Sequence, residues 1–146
     1  MRVQFTVSGS PQGKGRPRFS THGGRVITHT PDKTAIYENL VRLEYERQCQ
    51  GNRFSETAAL SVEIFAYYDI PQSASKKQKQ AMRDGLVRPT KRPDIDNICK
   101  SILDSLNGYA YRDDSQVVDC RVVKRYGETA KVLVTIQDER GENIEQ

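Results

Sequence analysis

The chain has 146 residues, 36% hydrophobic and 29% charged, with 23 Lys and Arg against 19 Asp and Glu for a net charge of +4 and a pI near 9.0. That length suits one domain, residues 1–146, and the mild basicity suits a nucleic-acid partner without requiring one. No stretch approaches the apolar length of a membrane span or the hydrophobic core of a signal peptide, and Cys49, Cys99 and Cys120, without CxxC spacing or a shared motif with His22 and His29, argue against zinc and for free buried thiols in a reducing cytoplasm.

Val3, Phe5 and Val7 alternate with polar neighbours, which predicts a half-buried first strand. A loop rich in Gly, Pro and positive charge follows, Ser8–Arg18, and then a polar segment, Thr21–Thr30, read as a short ribbon with Val26 and Ile27 inside. A helix is predicted from about Pro31-Asp32 to Cys49, on apolar positions Ile36, Leu40, Val41 and Leu43 to Tyr45, with Gly51-Asn52 as its stop. Leu60–Tyr68 has strand character, with Leu60, Val62, Ile64 and Ala66 on one face. Pro71–Ser75 turns into a short basic helix, Lys76–Asp84, whose Lys76, Lys77, Lys79 and Arg83 read as a solvated face.

Ile95, Ile98, Cys99, Ile102, Leu103 and Leu106 form a strong amphipathic helix that Asn107-Gly108 ends. Beyond the turn Arg112–Asp114, Val117–Lys124 and Lys131–Gln137 flank Tyr126–Glu128 as a C-terminal β-hairpin, and Asp138–Gln146 is an acidic tail expected to fray. The sum is an α+β fold with a small mixed or antiparallel sheet and two main helices.

Arg92-Pro-Asp-Ile-Asp-Asn97 opens the amphipathic helix, with Asp94 at the N-cap, Asp96 in the first turn, and Lys100 one turn beyond Asp96 on the outward face. Asn97 and Asp104 border that face. Asp is a favoured N-cap and an acidic first turn complements the helix dipole, so capping accounts for this pair by itself. Asp113-Asp114 lies one helix length downstream. If that turn folds back beside the helix start, Asp94, Asp96 and Asp114 become a carboxylate cluster whose mutual repulsion a divalent, oxygen-preferring cation relieves. Such a site activates water and holds a scissile phosphate, and Lys100 can offset its charge. Lys14, Arg16 and Arg18 stand on a backbone that can approach phosphate closely, without the spacing of a nucleotide-binding P-loop, so no nucleotide cofactor is expected. Arg88, Lys91 and Arg92 lead into the carboxylates and supply the positive flank that a polyanionic substrate requires. Tyr109 and Tyr111 can fill the core, pack at an interface or stack on bases.

Arg92–Leu106 followed by Tyr111–Asp119, with Arg121–Lys124 continuing as a basic strand, resembles the RusA-type Holliday junction resolvases, whose pattern is D-x-D-N-x-x-K at a helix start and then D-D-x-Q-V-V. Two differences stand out: Pro93 occupies the place where some members carry Arg, and the N-terminal loop is Gly-Lys-Gly-Arg-Pro-Arg rather than Asn-rich. The resemblance implies a homodimeric endonuclease that nicks a DNA four-way junction on opposing strands. It implies Mg²⁺ or Mn²⁺ on Asp94, Asp96 and Asp114, and Lys100 as the catalytic lysine. Three rivals make separable predictions: a nuclease for flaps and other branched DNA, a junction-binding module without cleavage, and an unrelated α+β domain without salt-sensitive DNA affinity.

Overall fold

The computed structural model describes residues 1–15, 18–29 and 32–138, and the acidic tail expected to fray lies outside them except for Asp138. The chain runs β1 (Arg2–Ser8), β2 (Arg18–His22), β3 (Arg25–His29), α1 (Asp32–Cys49), β4 (Leu60–Asp69), α2 (Lys76–Arg83), α3 (Ile95–Ser105), a 3₁₀ turn (Asp114–Gln116), β5 (Val117–Gly127) and β6 (Lys131–Asp138). β1, β6, β4 and β5 form a mixed sheet in that order, with β4 parallel to β5 and antiparallel to β6. The fold is α+β, as the patterning implies.

The period-two strands build one layer of the core. Val3, Phe5 and Val7 pair with Ile136, Val134 and Val132, which pair in turn with Val62, Ile64 and Ala66. All nine are buried. α1 and α3 pack on this layer, with α1 against β1, α3 against β5 and the helices against each other. Phe5 meets Tyr45 of α1 edge to face, ring centroids 5.4 Å apart.

Three elements depart from the pattern read in the sequence. The two C-terminal strands form where expected and run antiparallel, but β4 lies between them, so they are not hydrogen-bonded to each other. Their connection passes over the end of β4, where the Ala130 N–H donates to the Asp69 carboxylate at 2.8 Å. On α1 the buried stripe is Thr34, Tyr37, Val41, Tyr45 and Cys49, so Val41 and Tyr45 of the expected positions are buried and Leu40 packs against the core, while Ile36 and Leu43 remain 68% and 62% exposed. Two tyrosines take the inner face because their hydroxyls find backbone partners there: Tyr45 donates to the Asn52 carbonyl, and Tyr37 meets the backbone of Gln12. The ribbon expected over Thr21–Thr30 is the β2–β3 hairpin, and it stands off the core, so Val26 is exposed rather than inside and Ile27 is only partly covered. α2 buries no residue, in keeping with a solvated basic face, and a Ser75–Gln78 capping box begins it.

Candidate functional site

The start of α3 is where the candidate residues gather. Asp94 occupies the N-cap in extended conformation, yet its side chain makes no capping hydrogen bond. Its carboxylate is therefore not spent on the helix end, the role that sequence alone offers it. The Arg92–Pro93 peptide just before is cis. Asp94, Asn97, Arg92 and Pro93 line one side of a cleft whose other side is Gly13, Lys14 and Gly15 of the loop after β1.

That loop is held by specific contacts. The Lys14 N–H donates to Asn97 Oδ1 at 2.9 Å and the Gly15 N–H to Thr34 Oγ1 at 2.8 Å. Gly13 rests against Asn97 so closely that a Cβ there would overlap its amide and crowd Pro93. Lys14 Nζ reaches Asp104 on α3 at 2.7 Å and lies 3.8 Å from Glu38 on α1. The hydrogen bond to Asp104 raises the Lys14 ammonium above the usual lysine range. Its charge is thus shared with acidic partners within the cleft. Arg16 lies outside the described residues, and Arg18 opens β2.

The turn after α3 lies against the end of that helix, at Asn107 and Asp104. Asp114 N–H donates to Asn107 Oδ1 at 2.8 Å, and Asp114 lies within hydrogen-bond reach of the Asp104 carboxyl. Burial first, and then Asp104, push the Asp114 carboxyl above the usual aspartate range. Its neighbour Asp113 is committed elsewhere, since its Oδ2 accepts from Ser115 N–H at 3.0 Å and caps the 3₁₀ turn. Gln116 completes the capping box and ties the turn to the carbonyls of Ser55 and Ala58 at 2.9 and 3.1 Å.

Asp96 and Lys100 are both exposed on α3. Among the described residues no three His, Cys, Asp or Glu side chains stand close enough to hold a metal ion as they are. The donor chemistry nonetheless fits a hard divalent cation: the candidates are all carboxylate oxygens, Asp94 is uncommitted, and Asp114 faces another carboxyl.

Of the cations expected to flank the site, Arg88, Lys91 and Arg92 are exposed, and Arg92 lines the cleft. Lys91 and Lys124 sit over the Tyr68 ring, 5.5 and 5.4 Å from its centroid, and Lys124 Nζ donates to the Lys91 carbonyl. Tyr111 is buried and donates to the Leu103 carbonyl at 2.6 Å, so it fills the core, while Tyr109 is half exposed under the Arg42 guanidinium.

Sequence reading missed two features. Asp104, noted only as bordering the face, is the partner of both Lys14 and Asp114, and no local pattern links residues 90 positions apart. The cysteines differ more: Cys49 is buried as expected, Cys99 is only partly covered, Cys120 is exposed, and the last two meet at 3.3 Å between sulfurs. Cys120 on β5 shares the inner face of the sheet with Val62, which brings it under α3. Their hydrogen bond draws the Cys99 thiol down to about 7 and pushes Cys120 upward.

Residues 8–137 match the family model described as Endodeoxyribonuclease RusA. A relative from Bacillus subtilis (strain 168), bearing the name Uncharacterized protein YqaN, is 38% identical over 138 residues, 93% of this chain and 96% of its own length. The family match takes in the loop after β1, the cleft and all of α3.

Proposed function

We infer the function from one premise: the chain belongs to the RusA endodeoxyribonuclease family. That makes it a DNA-cutting hydrolase, and we propose that it resolves Holliday junctions by paired, metal-dependent nicking in DNA recombination and repair. The observation that carries this reading is the family match across the whole cleft, whose Asp94 carboxylate is left unspent by helix capping.

Asp94, Asp96 and Asp114 would hold Mg²⁺ or Mn²⁺. When bound, such an ion supplies Lewis acidity toward the phosphate and lowers the pKa of a coordinated water. The chain's own residues do the rest. Asn107 holds the Asp114 backbone, Asp104 helps to raise the Asp114 carboxyl, and Lys14 steadies Asp104 while tying the loop to α3. Lys100, free on the outer face one turn from Asp96, offsets charge that develops on the scissile phosphate. Arg88, Lys91 and Arg92, with Arg16 and Arg18 of the basic segment after β1, grip the sugar-phosphate backbone, which positions a branched substrate without reading its sequence. A four-way junction has approximate two-fold symmetry, so a homodimer bearing one cleft per subunit matches the two strands to be cut.

The test is cleavage of a synthetic four-way junction with and without Mg²⁺, comparing the wild type with Asp96→Asn. Symmetric nicks that require the metal and fall by at least about 100-fold in the variant, with junction binding kept, are expected. Tight binding without nicks on several junction sequences, Mn²⁺ included, would instead identify a binding module. Equal rates on flaps and junctions would point to a broader branched-DNA nuclease.

A further inference from the structure

Cys99 and Cys120 are an unusual pair for a site built on carboxylates. Cys99 lies on α3 between Asp96 and Lys100, and Cys120 lies on β5, the sheet's edge strand, with its residue exposed. Their sulfurs are 3.3 Å apart across the α3–β5 contact, and both are reduced. A disulfide requires them to approach to about 2.05 Å. The remaining gap is small enough for side-chain rotation and a slight shift of the helix to close, because Cys120 is on an edge and not locked in the core.

We propose that Cys99 and Cys120 form a redox-responsive pair, whose disulfide pins α3 to β5 and reversibly silences the cleft. The oxidant is a hydroperoxide, hydrogen peroxide in the simplest case. One thiolate attacks a peroxide oxygen and the O–O bond breaks, giving a sulfenic acid and hydroxide, which takes up a proton to become water. The second thiol then attacks the sulfenic sulfur, the S–O bond breaks, and a second water leaves as the S–S bond forms. Each sulfur is oxidised by one electron, and the two peroxide oxygens are reduced. A dithiol reductant reverses the bond by thiol–disulfide exchange.

The silencing half of the inference rests on the nuclease reading. Asp96 is three positions before Cys99 and Lys100 is the next residue, so a bond drawing Cys99 toward β5 re-aims both side chains. Displacement of about 1 Å in a catalytic constellation costs on the order of 100-fold in rate. Cys49 takes no part: it is buried on α1 and directs its thiol to the Gln4 carbonyl at 3.6 Å.

The experiment treats the full reduced protein with hydrogen peroxide, quenches it, and reads intact mass, free thiols under denaturing conditions, and junction cleavage before and after dithiothreitol. Expected are the mass loss of one disulfide, one thiol remaining of three, a peptide linking Cys99 to Cys120, and cleavage reduced at least tenfold and restored by dithiothreitol. Cys49→Ser should behave alike, whereas Cys120→Ser should form no internal disulfide and keep its activity through a brief peroxide pulse. Successive gain of oxygen without a disulfide, a disulfide that persists in Cys120→Ser, a covalent dimer through Cys120, or a disulfide-bonded protein that cleaves at the full rate each overturns the proposal. If the reduced protein never nicks junctions, the nuclease reading falls on that control alone. The mass and thiol readouts still decide whether the pair closes, and the silencing half is then rejected with the activity it needed.

Discussion

Asp113 and Asp114 are adjacent in sequence and have separate fates: the first caps its own turn, the second faces Asp104 across the end of α3. Asp113→Ala should leave junction cleavage within a few-fold of wild type, while Asp114→Asn should abolish it. Comparing the two under identical conditions tests whether the pair acts through one member. Asp114 also predicts a pH effect in EDTA. Its folded pKa lies above the unfolded one, so the folded protein binds the extra proton and stability falls as pH rises through that window. Melting temperatures should therefore decline as pH climbs above the ordinary aspartate range near 4, and Asp114→Asn should flatten the decline. Lys14 offers a third test. Its ammonium and the Asp104 carboxyl are 29% and 20% exposed at 2.7 Å, a partly buried charged hydrogen bond. Lys14→Met should cost about 1–3 kcal/mol, lowering the melting temperature by several degrees, and the loss should shrink when Asp104→Asn is added. At this scale the sequence marks Asp94, Asp96 and Asp114 by motif. It could not show that Asp94 leaves its cap unmade, or that a lysine in the first loop finds an aspartate in the last helix.

Helix α3 and β1, β4 and β6 were legible because their apolar periods are strong and their inner faces are nearly pure Val, Ile, Leu and Phe. α1 was legible in extent and only partly in orientation: Val41 and Tyr45 face the core as expected, whereas Ile36 and Leu43 point outward and Tyr37, with a backbone partner, takes an inner position. The C-terminal strands were read as a hairpin because a short turn joins them, and a turn cannot reveal that another strand lies between its arms. The loop after β1 was read as merely basic, yet it is docked on α3 through two backbone N–H groups and a glycine seated against Asn97. Gly13→Ala should lift it. Hydrogen exchange should show the Lys14 and Gly15 amides losing protection, while the amides of β4 and β6 keep theirs.

At the scale of the whole molecule, the net charge of +4 understates the local density of cations, since Arg88, Lys91 and Arg92 are close in sequence and all exposed, and Arg92 lines the cleft. Junction affinity should fall steeply with salt, and Lys91→Ala with Arg92→Ala should reduce the slope of log affinity against log salt by about 2. An unchanged slope would move the DNA path away from this flank. The sheet order has a different consequence. β6 is the strand that joins β1 to β4, and it pairs with residues some 130 positions earlier. Among the described residues β1 pairs with no other strand, so its place in the sheet depends on one contact of very long sequence separation. Pairings between residues so far apart in sequence are slow to close, so the seam between β1 and β6 should be among the last parts of the sheet to assemble on refolding.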